Sequence, residues 1–216
     1  MNDFPANSVV LEVKDLSYSR NEEKIFGPIN FKLASGNALL VTGDNGSGKT
    51  TLLRVLSGLL KPQTGKVVVS NASTNHSDLS HSCAYLAHKP GHKADLSCLE
   101  NLEYLQAIFH TAKPELMEAA LSKVGLAGYE DTQSKKLSAG QNKRLGLARL
   151  LLCHSPCWLL DEPYANLDLQ GIVLVNQLIT EHIEQGGAVL LTTHGAYAAP
   201  AVPCQSLILV NGASRQ

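Results

Sequence analysis

The feature that most constrains this chain is the octet Gly43-Asp44-Asn45-Gly46-Ser47-Gly48-Lys49-Thr50, set between the apolar run 38–42 and a stretch with Leu52, Leu53, Leu56, Leu59 and Leu60. The run is short enough for a buried strand and the leucines fall on one helix face, so the order is strand, glycine loop, helix. Glycines at these positions let successive backbone N–H groups point inward around an anion, and the following helix turns its positive end to the same place. Lys49 supplies a point charge and Thr50 a hydroxyl suited to Mg²⁺, which completes the phosphate-loop pattern Gly-x-x-x-x-Gly-Lys-Thr. A chance match in a chain of this length has odds on the order of one in a hundred. The octet predicts that a nucleoside triphosphate is bound by Gly43, Asp44, Asn45, Gly46, Ser47, Gly48, Lys49, Thr50 and the adjoining Thr51.

The rest of the chain order reads as an α/β unit. Strands are expected at 9–13 and 25–33 around a polar link at 17–23, then a helix over 51–60 and a turn at Gln63-Thr64-Gly65. Strands at 66–70 and 82–86 flank a polar loop at 71–81. The region 98–125 reads as helical with a break at Pro114, and 140–153 as an amphipathic helix ended by Pro156. A buried strand at 157–160, a helix over 169–185, a Gly186-Gly187 turn and strands at 188–192 and 207–210 complete an alternation that implies a mostly parallel sheet. There is no internal repeat and no long linker. The whole of 1–216 is therefore expected to form one domain, its core drawn from 1–90 and 137–216, with 91–136, which lacks strand signals, as a helical insert.

Composition removes several function classes. The 216 residues include 18 Lys+Arg against 19 Asp+Glu, a formal net charge of −1, so no bulk positive field recruits nucleic acid or anionic lipid. No apolar run approaches the roughly 20 residues of a spanning helix, and the first residues carry neither a basic flank nor an apolar stretch, so no signal peptide is expected and any membrane role runs through a partner. The five cysteines are odd in number and scattered, which suits reduced thiols better than a disulfide framework.

Two further patterns carry chemistry. Trp158-Leu159-Leu160-Asp161-Glu162 ends a buried strand in two carboxylates, at the edge where an open parallel sheet binds its ligands. Asp161 is placed to hold Mg²⁺ and Glu162 to polarise an attacking water, although a strand that merely stops in a charged turn reads equally well. Leu137-Ser138-Ala139-Gly140-Gln141 opens a helix with Ser138 as a plausible N-cap. His194, just past an apolar strand, is on its own an ordinary surface histidine.

Taken together and in this order, the glycine loop, Leu137–Gln141, the acidic pair, Ala165-Asn166-Leu167-Asp168 and His194 resemble the ABC-transporter ATPase subunits over nearly the whole chain. The resemblance implies an ABC ATPase fold with a RecA-like, mostly parallel core, an N-terminal antiparallel β part and a helical insert. It implies ATP and Mg²⁺ as ligands, with Mg²⁺ on Thr50 and Asp161. It makes Glu162 the base and His194 the γ-phosphate switch, with Lys49 on the phosphates. Ser138, Ala139, Gly140 and Gln141 would act in trans on the ATP of a second, head-to-tail subunit, and Asp168 would lie in the loop that crosses between the two.

Two positions depart from the general family pattern. His88 stands where most relatives carry a glutamine that touches Mg²⁺ and the attacking water, and spacing puts Arg20, near Tyr18, at the place of the adenine-stacking aromatic. Imidazole donates or accepts a hydrogen bond with a different reach, and a guanidinium can stack on a base. The stretch Leu86-Ala87-His88-Lys89-Pro90-Gly91-His92-Lys93, followed by Leu99-Glu100-Asn101-Leu102, resembles the ATP-binding subunits of the cytochrome c maturation haem exporters. That resemblance implies integral-membrane permease partners, a peripheral place on the cytoplasmic face of the inner membrane, and a link to haem only through those partners. An ABC subunit for another small substrate is the first alternative. A soluble ABC regulator is a more distant one, since the chain has one phosphate loop, no heptad run and no net positive charge. A small-molecule kinase leaves Leu137–Gln141 without a role.

Overall fold

The computed structural model describes residues 9–69, 79–109, 114–193, 202, 204–210 and 213–215. In chain order its first half comprises β1 (Val9–Arg20), β2 (Glu23–Ala34), β3 (Ala38–Thr42), α1 (Lys49–Leu56), β4 (Thr64–Val69), α2 (Leu79–Ser82) and β5 (Cys83–Leu86). The second half comprises α3 (Cys98–Phe109), α4 (Pro114–Lys123), α5 (Ala139–Leu152), β6 (Cys157–Leu160), α6 (Leu169–Glu184), β7 (Ala188–Thr192), β8 (Cys204–Val210) and β9 (Ala213–Arg215). A 3₁₀ turn at Ser134–Lys136 leads into α5.

Two sheets organise these elements. β2, β1 and β4 form an antiparallel sheet in that order. The second sheet runs β5-β6-β7-β3-β8-β9, parallel through β8, with β9 returning antiparallel. β6 and β7 are buried along their whole length, as strands covered on both faces must be, and this is why they read as unbroken apolar runs. Their side chains alternate between two cores. Trp158, Leu160, Val189 and Leu191 join Leu102, Met117, Leu121 and Leu145 of the helical layer. Cys157, Leu159, Ala188 and Leu190 join Phe26, Leu52, Leu53 and Leu56 between α1 and the antiparallel sheet. The period of two thus glues the parallel sheet to a different layer on each side.

Four local expectations differ from the structure. The polar loop expected through 81 gives way to the short helix α2 from Leu79, while its residues 71–78 lie outside the described residues. The polar link expected at 17–23 is strand up to Arg20 and again from Glu23, joined by a two-residue turn in which Asn21 (φ 49°) and Glu22 (φ 66°) are both left-handed. Such a turn matches the strand twist and needs no glycine when its residues tolerate positive φ. The turn expected at Gln63-Thr64-Gly65 is where β4 begins, and Gly65 (φ 86°) is needed there because a Cβ would strike the Asp15 carbonyl of β1. Helix α1 stops at Leu56, four residues short of the leucine pattern, where Gly58 (φ 77°) turns the chain and leaves Leu59 65% exposed.

The insert region packs as helices. α3 and α4 bury Leu102, Met117 and Leu121 against Leu145 and Ala148 of α5, and Asn101 Nδ2 donates to the carbonyls of Lys93, Leu96 and Ser97. α5 therefore belongs to the helical layer and faces the sheet at once. Among the described residues no helix is long and apolar enough to cross a membrane.

Near the far end of this layer the His182 ring stacks on Trp158, centroids 4.0 Å apart and 8° from parallel, in a space that closes over Gly187. Burial pushes the His182 pKa down to about 4. The unfolded chain binds that proton near pH 6.5, so between about pH 6.5 and pH 4 the unfolded state holds more protons and stability falls as pH is lowered. Urea unfolding across that window should show the decline, and His182→Phe should flatten it by up to about 1.4 kcal/mol per pH unit. An identical slope in the variant would remove His182 as its source.

Candidate active site at the carboxyl edge of the parallel sheet

The loop that follows β3 is shaped by its glycines. Gly43 (φ 147°) passes so close to β8 that a Cβ would collide with the Leu209 carbonyl, and Gly48 (φ 96°) caps α1 while packed against Ile25 of the hairpin. Lys49 is the first residue of α1 and is 5% exposed, with Nζ donating to the carbonyls of Gly43 (2.6 Å) and Asp44 (2.9 Å). Burial lowers its pKa against the opposing pull of Glu162, Asp161 and Asp44. The ammonium is thus held by neutral carbonyls inside a ring of backbone, a position from which it can pass to an entering anion. The Ser47 hydroxyl, sealed in the same loop, has no hydrogen-bond partner, an orphan that a phosphate oxygen would satisfy. Asn45 and Gly46 form the turn at the tip.

β6 delivers the carboxylates. Asp161 is 1% exposed, and three hydroxyls converge on it: Thr192 (2.9 Å) and Thr50 (3.2 Å) donate to Oδ1, and Tyr85 (3.3 Å) donates to Oδ2. Burial, with the Asp161 charge second, pushes the Tyr85 pKa up to about 12, so the phenol remains a donor. Glu162 follows with φ 49°, left-handed for a residue with a Cβ, and its N–H donates to Thr192 Oγ1 at 3.0 Å. Its Oε2 lies 3.0 Å from His88 Nδ1. Thr50, Arg54, Ala87, His88, Lys89, Asp161 and Glu162 line a cleft of about 440 Å³.

The structure brings Thr50, His88, Asp161 and Glu162 together, with Thr51 in the same first turn of α1 as Thr50, and it keeps residues 138–141 out of that cleft. Ser138 caps α5 by accepting from the Gln141 N–H (3.1 Å), and Gln141 Oε1 accepts the Ser138 N–H (2.9 Å). Ser138 and Ala139 are exposed, and Gly140 lets the loop before α6 approach, since a Cβ there would lie 3.0 Å from the Asn166 carbonyl. Asp168 caps α6 through the Gly171 N–H (2.8 Å) and meets Arg144 at 3.4 Å. Arg20 is exposed at the end of β1, opposite Glu23, while Tyr18 stacks on Phe26 at 6.2 Å. His194 lies outside the described residues.

Sequence reasoning passed over Thr192, Tyr85 and Lys143. The first two are polar residues at the ends of strands that adjoin the Asp161 strand, and that position was their signal. Lys143 sits inside α5, where a lysine reads as a solvated face, yet it is buried, with its pKa lowered by burial against the pull of Asp161 and Glu162.

A family model described as ABC transporter matches residues 26–165. The chain belongs to the ABC transporter family. Among its curated relatives is the cytochrome c biogenesis ATP-binding export protein CcmA of Xanthomonas axonopodis pv. citri, 56% identical over 93% of this chain and 94% of that one. CcmA proteins of Xylella fastidiosa (strain 9a5c; 46% identical, 96% and 95% covered) and Escherichia coli O157:H7 (42%, 86% and 89%) match as well. The fold is shared with solved ABC cassettes: an ATP-binding subunit of an ABC transporter (TM-score 0.85, 23% identical, covering 96% of this chain and 88% of that one) and a cassette in dimeric form with ADP and phosphate (TM-score 0.83, 22%, covering 95% and 97%). The chain is an ABC-type ATPase, similar to these CcmA proteins over most of its length.

Within the ABC cassette, the Thr192 hydroxyl links the Asp161 carboxylate to the backbone N–H of Glu162. Thr192→Val keeps the shape but removes the bond to the Glu162 N–H and one of the two donors to Asp161 Oδ1, and should cost about 1–3 kcal/mol in urea unfolding. A loss below about 0.5 kcal/mol would show that water replaces the hydroxyl freely.

Proposed function

We propose that this protein is the ATP-hydrolysing subunit of an export complex that serves cytochrome c maturation by driving haem export or release of a haem-loaded chaperone. The observation that carries the hydrolytic part is the Glu162 carboxylate, held at positive φ 3.0 Å from His88 and beside an Asp161 that collects three hydroxyls. The export part rests on the CcmA relatives, whose alignments span most of both chains.

ATP enters over the 43–51 loop, where the inward N–H groups, the orphan Ser47 hydroxyl and the Lys49 ammonium take up phosphate oxygens. Thr50 and Asp161 offer hard oxygen ligands that lie 3.2 Å apart, a donor set that fits Mg²⁺ sharing its shell with water and phosphate. When bound, Mg²⁺ neutralises charge that develops on the phosphates. Glu162 accepts the proton of the attacking water, and His88 takes the place of the usual glutamine by orienting the Glu162 carboxylate and the water beside it. His194 senses the γ-phosphate, and Arg20 with Tyr18 flanks the adenine.

Residues 138–141 complete the site of a second copy. The exposed start of α5 turns two uncommitted N–H groups and its positive end outward, which suits the γ-phosphate on a partner's loop, and Asp168 lies at the crossing. ATP binding then closes a head-to-tail homodimer and hydrolysis reopens it. Permease subunits hold the pair on the cytoplasmic face of the inner membrane. Neither nucleic acid nor a haem ligand set enters this reading.

Lys49→Ala should weaken ATP binding in calorimetry by about 1.5–3 kcal/mol, through loss of a charge-assisted contact. Glu162→Gln should bind ATP as tightly as the parent, lose turnover by about 10²–10⁴-fold, and accumulate as an ATP-bound dimer in light scattering. An Glu162→Gln protein that stays monomeric with ATP and Mg²⁺ would count against closure on two nucleotides. Affinity purification from detergent-solubilised membranes should bring down integral-membrane subunits, and their absence would redirect the reading to a soluble regulator.

A further inference from the structure

Lys143 is 2% exposed on the second turn of α5, and the hydrolytic scheme above gives it no task. Its Nζ donates to the carbonyl oxygens of His88 and Glu162, each at 3.2 Å. Both carbonyls lie just past the point where β5 and β6 cease to pair: Leu86↔Leu160 is the final register pair, and the Asp161 N–H to Leu86 carbonyl bond, 2.8 Å, is the final rung. Beyond it the two chains separate around the cleft. One ammonium with three donors bridges that gap, and the same two residues meet again through His88 Nδ1 and Glu162 Oε2.

The Glu162 peptide is consequently gripped from both sides. Its N–H goes to Thr192, and its carbonyl accepts from Lys143 and from the Ala165 N–H at 3.2 Å. A non-glycine residue at positive φ is strained and persists only where its surroundings over-determine it. Two of the three bonds come from the sheet and its own turn. The third comes from α5, the helix whose first residues form the exposed cap at Ser138 and Gly140.

We infer that Lys143 is a positioning residue whose ammonium clamps the His88 and Glu162 peptides together, aims the Glu162 carboxylate, and passes movement of α5 on to it. The inference rests on Glu162 being the base for ATP hydrolysis. It adds a physical link from the surface proposed to meet the partner's nucleotide to the base acting on the chain's own nucleotide. A buried apolar side chain in place of Lys143 would fill the space and remove the one donor that both carbonyls share.

The test uses the protein purified with its membrane subunits and compares K143M, which keeps length and loses the donors, with K143R, which keeps a cationic donor. In K143M kcat at saturating ATP should fall at least about tenfold, because small misplacements of a reacting group are costly, while KM for ATP stays within about twofold. K143R should recover at least about a third of the parent kcat. On an E162Q background K143M should remove no further turnover, since the two substitutions disable one unit. A K143M kcat within about twofold of the parent, or a KM that rises in step with the loss in both variants, overturns the inference. So does a further loss of about tenfold on the E162Q background. If K143M fails to fold, K143Q is read by the same criteria. Parent-level turnover in E162Q would strike down the base reading itself, whereas loss of turnover in E162Q with an indifferent Lys143 would strike down this inference alone.

Discussion

Burying the Asp161 carboxylate at the end of β6 is the constraint on which the rest of the site depends. A carboxylate taken out of water must be compensated by hydrogen bonds or charge. Here the compensation arrives from α1 through Thr50, from β5 through Tyr85 and from β7 through Thr192, and two buried ammoniums, Lys49 and Lys143, feel its charge. One side chain therefore ties the phosphate loop to three parallel strands. Losing any of these partners would leave the others around an under-satisfied charge, which is why the elements must hold a common register.

The parts of this arrangement that were legible in the sequence are those whose physics is local. The octet at 43–50 states its own conformation, because Gly43 and Gly48 stand where a Cβ would meet β8 or β2. Apart from the threonines that end β3 and β7, the runs of β3, β6 and β7 are apolar because those strands lie inside the sheet with layers on both faces. Asp161 and Glu162 were visible as charges that end such a run. The same local logic marked Ser138 as a cap, and the capping box with Gln141 is what the chain forms.

What escaped was set by neighbours distant in sequence. The outer halves of β1 and β2 carry polar residues because one side of that hairpin faces water, so no apolar alternation announced them, and the turn at Asn21 and Glu22 lacks glycine. Leu59 and Leu60 continued a helix face that the chain abandons at Gly58. Thr192 and Tyr85 are ordinary strand residues until β7 and β5 are placed beside β6. Lys143 is the sharpest case: a lysine among Asn142 and Arg144 on a capped helix reads as solvated, and only the meeting of α5 with the ends of β5 and β6 turns it inward.

The exposed start of α5 bears on how the proposed closure stays reversible. Its first turn carries no acidic side chain, and the capping box satisfies the Gln141 N–H while leaving the earlier amides for an outside acceptor. An anion at an exposed helix start gains about 0.3–1 kcal/mol from the dipole, and about 2 kcal/mol when partly buried. Such a contact is too weak to hold two copies together without the nucleotide, and in the proposed closed pair two of them would act at once only while both γ-phosphates are in place. In the proposed cycle, cleavage at either site would remove the acceptor that the opposite helix reads. The proposed base is held in part by Lys143 of the same helix, so the element proposed to read one nucleotide also supports the residue proposed to consume the other.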